Sequence, residues 1–99
     1  MARHVVHRRN GDVDEYQEVP DNEQLEPHFV TITFLDGSLR SYHVEDGLGG
    51  VGFEFADAGI LVLRFEDSDH VISAFAPAAW TSVSGTALSD RGRRSASGR

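Results

Sequence analysis

An all-β fold is what this 99-residue sequence predicts: a small antiparallel meander of about five strands, arranged as an open sheet, a sandwich or a small barrel. Three observations carry that expectation. Between residues 28 and 84, short runs of Val, Ile, Thr, Phe and Tyr alternate with turn residues. An Asp36-Gly37 pair stands between two such runs and is a strong hairpin signal. Glycine and aspartate then punctuate the chain again at 46 to 50, 57 to 59 and 67 to 69.

Residues 29 to 35 read as the clearest strand, with Val30, Ile32 and Phe34 on one face and Phe29, Thr31, Thr33 and Leu35 on the other. A two-residue type I′ turn at Asp36-Gly37 would return the chain as a strand over 38 to 45. That turn pairs Phe34 with Leu39 and Ile32 with Ser41, and it sets Arg40, Tyr42 and Val44 on the face of Thr31 and Thr33. Both faces of this hairpin then carry apolar residues. Asp46-Gly47-Leu48-Gly49-Gly50 breaks the pattern. It is not a phosphate loop, because a β-like run follows where a helix N-terminus and a Gly-Lys-Ser/Thr element would be needed. Residues 51 to 56 and 60 to 66 form a second hairpin about Asp57-Ala58-Gly59. Residues 71 to 76 form a fifth strand after the turn at 67 to 70. Pro77 favours a helical first turn, so residues 77 to 80 are expected to make one helical turn that ends the meander, with Trp80 sealing the core.

The flanks differ in composition. Residues 1 to 27 hold two prolines, six acids between Asp12 and Glu23, and few large apolar side chains, which predicts an acidic and mostly disordered segment. Val13, Tyr16 and Val19 are spaced by three, which fits neither a strand nor a helix able to stand alone. Residues 85 to 99 are small and polar with four arginines, and are expected to be a flexible tail. The net charge of -7 is unevenly spread: all sixteen acids lie between Asp12 and Asp90 with only Arg40 and Arg64 among them, so that span carries -14 between basic ends of +3 and +4. The complete absence of lysine is attributed to GC-rich coding rather than to selection for bidentate contacts.

A core built from about 57 residues buries only roughly 60% of its unfolded surface. With no cysteine, disulfides and thiolate zinc sites cannot reinforce it. Partner chains are the remaining common support. No run approaches the roughly 18 apolar residues of a membrane span, and the first residues lack the apolar centre of a signal peptide, so a cytoplasmic protein without membrane contact is expected.

No catalytic signature is found. His4 and His7 fall in the segment expected to be disordered, while His28, His43 and His70 are too dispersed to predict a His/carboxylate metal site. Ser68, Asp69 and His70 are neighbours in one turn and cannot line up as a triad. Asp12-Val13-Asp14-Glu15 lacks the rest of a calcium loop. No cofactor and no small-molecule ligand is indicated, and no enzyme activity is expected.

The runs Thr33 to Gly37, Tyr42-His43-Val44, Leu61 to Phe65 and Val71 to Val83, the last containing Phe75-Ala76-Pro77 and then Trp80, resemble small β-rich proteins of unknown function from actinobacteria and their phages. The resemblance spans roughly residues 29 to 83 and implies a source, with no activity attached. A protein-binding or self-associating module is the leading expectation, with Phe29, Thr31, Thr33, Tyr42 and Trp80 as candidate interface residues. The alternatives are association with nucleic acid through Arg91, Arg93, Arg94 and Arg99, or an acidic decoy for a DNA-binding protein.

Overall fold

The computed structural model describes residues 2 to 88. Eight strands run along the chain: β1 (Ala2–His7), β2 (Val13–Tyr16), β3 (Val30–Phe34), β4 (Leu39–Val44), β5 (Val51–Phe55), β6 (Leu61–Phe65), β7 (Val71–Phe75) and β8 (Trp80–Gly85). They form two open sheets, one of five strands in the order β2-β1-β4-β3-β8 and one of three in the order β5-β6-β7. The five predicted strands, now β3 to β7, are all present, but they are divided between the sheets. A 3₁₀ turn at Pro77–Ala79 stands where a helical turn was expected, and it leads directly into β8.

Alternation builds the core. Val5, Val30, Ile32, Tyr42 and Val44 from the larger sheet meet Val51, Leu61 and Leu63 from the smaller, with Phe34, Phe53, Phe65, Phe75, Trp80 and Val83 packed around them. Each fully buried Val, Leu or Ile contributes about 1.5–3 kcal/mol relative to exposure. Ile32, Leu61 and Leu63 are completely enclosed.

The first hairpin departs from the two-residue turn. The Phe34 amide donates to Ser38 O at 2.9 Å and the Gly37 amide to Phe34 O at 2.9 Å. Only Gly37 takes a positive φ, of 86°, while Asp36 stays in ordinary space and its carboxylate accepts from the Ser38 amide and hydroxyl. The loop therefore has three residues with glycine in the left-handed position. That extra residue shifts the register, so Val30 faces Tyr42 and Ile32 faces Arg40. A slip of one residue turns every side chain to the other face. Tyr42 accordingly enters the core beside Val30, and Ser41 and His43 take the face of Thr31.

The N-terminal segment corrects a second expectation. β1 inserts between β2 and β4, antiparallel to the first and parallel to the second, pairing Val5 with Tyr42 and His7 with Val44. Its two valines are adjacent and point to opposite faces, yet both are buried. Arg8 fastens the following chain: its guanidinium donates to Asp14 and Glu23, each at 2.9 Å, and to the Tyr16 hydroxyl. The Glu26 amide donates to Val44 O and the Asp46 amide to Gln24 O, both at 3.0 Å, so the segment before β3 is also tied to the end of β4.

Residues 86 to 88 belong to the fold as well. The Phe53 amide donates to Thr86 O at 2.9 Å and the Leu88 amide to Phe53 O at 2.7 Å, joining the end of β8 to the edge of β5. Gly52 makes room for Leu88, since a Cβ there would lie 2.5 Å from the Leu88 side chain. The remainder of the predicted tail, with Arg91, Arg93, Arg94 and Arg99, lies outside the described residues.

Candidate protein-interaction site

Two surfaces could receive a partner. The first is the outer face of the five-stranded sheet, where β3 and β4 place Thr31 opposite Ser41 and Thr33 opposite Leu39, and β8 adds Ser84 and Ser82 beside the two threonines. Thr31 and Ser41 share a hydrogen bond of 2.8 Å. Beyond them three rings form a row: Phe29 stacks on His43 with centroids 4.7 Å apart, and His43 lies 5.3 Å from His4. Nδ1 of His4 and Nε2 of His43 are 3.1 Å apart and share one proton. Burial, with a smaller contribution from His4, holds His43 down to about 4, so its ring is neutral.

Three of the predicted interface residues, Phe29, Thr31 and Thr33, therefore sit together on this outer face, with Phe29 39% exposed. Tyr42 does not join them. It is 4% exposed, its ring faces Phe75 at 6.3 Å, and its hydroxyl accepts from Arg40, so it cannot contact a partner. Trp80 also lies on the inward side, stacked against Phe55 at 5.8 Å and half-buried against the core.

The second surface is an edge that the sequence reading did not single out. β5 and β8 lie on the same side of the sandwich, as the Phe55 and Trp80 rings show, and the chain itself stitches that side through residues 86 to 88. Among the described residues the opposite side is open. Within the described residues, β7 pairs only with β6, and its sequence, Val-Ile-Ser-Ala-Phe, has no ionisable group and no proline. Val71 is 52% exposed. Edge strands usually carry lysine, proline or inward charge to block pairing, and β7 has only a bulge at Leu63/Arg64.

The inward side of β7 meets β3 and β4, through Phe75 with Phe34 and Tyr42, and β1 is also covered, with Val5 in the core and His7 against Phe65 of β6. On the inward side of β2, Val13 is 51% exposed and Glu15 pairs with Arg3 at 3.4 Å in the open. At one end of β7, Asp67 and Asp69 stand exposed in the preceding turn, and His70 stacks on Phe65. The one available hint in the sequence was an uncharged five-residue run between an acidic turn and Pro77.

The other histidines serve packing or surface pairing. His7 sets the edge of Phe65 at 5.8 Å and is held below its usual value by burial and then by His70. His28 contacts Glu66 at 2.9 Å. No group of three or more His, Asp or Glu among the described residues is arranged to hold a metal ion, and no helix there is long and apolar enough to cross a membrane. No family model matches the chain, and no curated protein or solved structure is significantly similar to it.

Proposed function

We propose that this protein is a non-catalytic binding module that recruits another polypeptide by strand addition at β7. The observation that carries the reading is the edge itself: five residues, uncharged, paired on one side only among the described residues, and half exposed at Val71. Unmet amides and carbonyls on such an edge supply the affinity in strand addition, and alternate side chains supply the selectivity. Nothing about the reading requires a metal, a cofactor or a reactive side chain. Thr31, Thr33 and Phe29 on the outer face are a secondary contact surface of modest size.

Amide hydrogen exchange on the full chain tests the reading. Among strand amides, those of β7 that point away from β6 should exchange fastest in the isolated protein and should slow selectively when a binding polypeptide is captured. Slowing confined to residues 29 to 33 would move the site to the outer face and refute strand addition.

A further inference from the structure

We infer that the cavity at the starts of β1 and β4 binds a small monocarboxylate, with the carboxylate on the guanidinium of Arg40 beside Arg3 and Gln17, and the apolar remainder of the ligand against Ala2 and Leu39. The site lies apart from the β7 edge and does not depend on the strand-addition reading.

Arg40 is the reason to look there. Among the described residues Arg3 pairs with Glu15, Arg8 with Asp14 and Glu23, Arg9 with Glu45, and Arg64 with Glu54. Arg40, half-buried and facing inward opposite Ile32, has no carboxylate. In a chain with sixteen acidic residues, an inward guanidinium left without one is the exception. The group is nevertheless held in place: its carbon sits 5.1 Å over the Phe34 ring, and Nη1 donates to the Tyr42 hydroxyl at 3.3 Å. Those contacts orient the planar fork and leave its other N–H groups to a ligand.

Register sets further donors beside it. Arg3 is the β1 partner of Arg40, so the two side chains share a face, and continuing the antiparallel register past His4 and Tyr16 brings Gln17 next to Arg3. Three donors thus stand abreast across β4, β1 and the end of β2, and all three line one cavity of about 270 Å³. Adjacent like charges repel. A carboxylate bound there removes that repulsion and can take two parallel N–H bonds from Arg40. Ala2 and Leu39 supply the apolar part of the lining. Asp36, the one carboxylate that lines the cavity among the described residues, accepts from the Ser38 amide at 2.9 Å and hydroxyl at 2.6 Å, and these bonds keep it charged. Its charge, in a span that carries -14, opposes a second negative charge on the ligand and so selects a monoanion over phosphate.

The test titrates the full chain, followed by its amide NMR spectrum, with butyrate, with butyramide as the uncharged counterpart, and with inorganic phosphate. Butyrate should give saturable shifts at residues 3, 17 and 38 to 40, and butyramide and phosphate should each bind at least about tenfold more weakly. Arg40→Gln, which keeps a donor for the Tyr42 hydroxyl, should abolish the butyrate shifts, while Arg9→Gln, beyond the other end of β1, should leave them unchanged. Should Arg40→Gln fail to fold, the exposed change Arg3→Gln decides instead: it should weaken butyrate severalfold, and unaltered affinity overturns the site. Absence of saturable shifts at these residues, or butyramide binding as well as butyrate, overturns the carboxylate site. Phosphate binding as tightly as butyrate overturns the selection of a monoanion.

Discussion

His43 shows how much a single residue's face matters. It is 7% exposed, stacked on Phe29 and hydrogen-bonded to His4, and its ring resists protonation until about pH 4. The unfolded chain takes up that proton near pH 6.5, so between 6.5 and 4 the unfolded state binds more protons than the folded one. Stability is therefore full above pH 6.5 and declines as the pH falls toward 4, by up to about 3 kcal/mol from this group. His7 adds to the decline in the same direction. His43→Phe preserves the stack and should flatten the fall in Tm across that window in thermal melts; an unchanged curve would mean that His43 titrates freely in the fold. Trp80 makes a different case, since its buried Nε1 donates to no group in the described residues. Trp80→Phe loses no hydrogen bond, so its cost in denaturant unfolding should stay below about 1.5 kcal/mol. The alternation of Val30, Ile32 and Phe34 was legible from sequence, and so was the burial of Trp80 against the core. The place of Tyr42 was not, because one added turn residue at Leu35-Asp36-Gly37 reversed the face of the whole return strand.

Among the elements, the strands with regular alternation were legible and those held by their neighbours were not. β3 to β7 carry their own period. β1 has only Val5 and Val6, adjacent, and becomes a strand because β2 and β4 satisfy its backbone on both sides while Arg8 anchors the loop beyond. Arg8→Ala should leave Asp14 and Tyr16 without the guanidinium that donates to them and Glu23 with the Tyr16 hydroxyl as its donor, loosening β2, visible as faster amide exchange in residues 13 to 16. Residues 86 to 88 were hidden for a related reason: their strand-like bonds depend on the absence of a side chain at Gly52, a contact that sequence spacing cannot display. Gly52→Val should push Leu88 off β5 and speed exchange of the Phe53 amide, which donates to Thr86. If that amide remained protected, residues 86 to 88 would not depend on the Leu88 anchor. The free edge of β7 was unrecognised because sequence alone does not say which strand of a meander ends a sheet.

For the whole molecule, the boundary between body and flank is the largest revision. The predicted 28 to 84 domain omits β1, β2 and Leu88, so cutting there would turn β4 into an edge and uncover Tyr42 and Val44. That fragment should lack a cooperative melt by circular dichroism and should aggregate in light scattering, while the full chain melts as one unit; a cooperative monomeric fragment would show that β1 is an accessory. The acid-rich composition that suggested disorder in residues 1 to 27 instead supplies Asp14 and Glu23 to Arg8, while Arg9 reaches out of the segment to Glu45 and the carbonyl of Asp46. Charge pairing supplied what hydrophobicity lacked there.

The parallel seating of β1 has a bearing on how the protein is made. During synthesis β1 must wait for Leu39 to Val44 before it has its central partner, and β3 waits for Trp80 to Gly85. At about 5–20 residues per second, synthesis from the start of β1 to the end of β8 takes roughly 4–17 s. Through that interval the nascent chain holds the apolar strands of both sheets without their final neighbours, so its exposure to chaperones and proteases is decided by translation speed as much as by the stability of the finished sandwich.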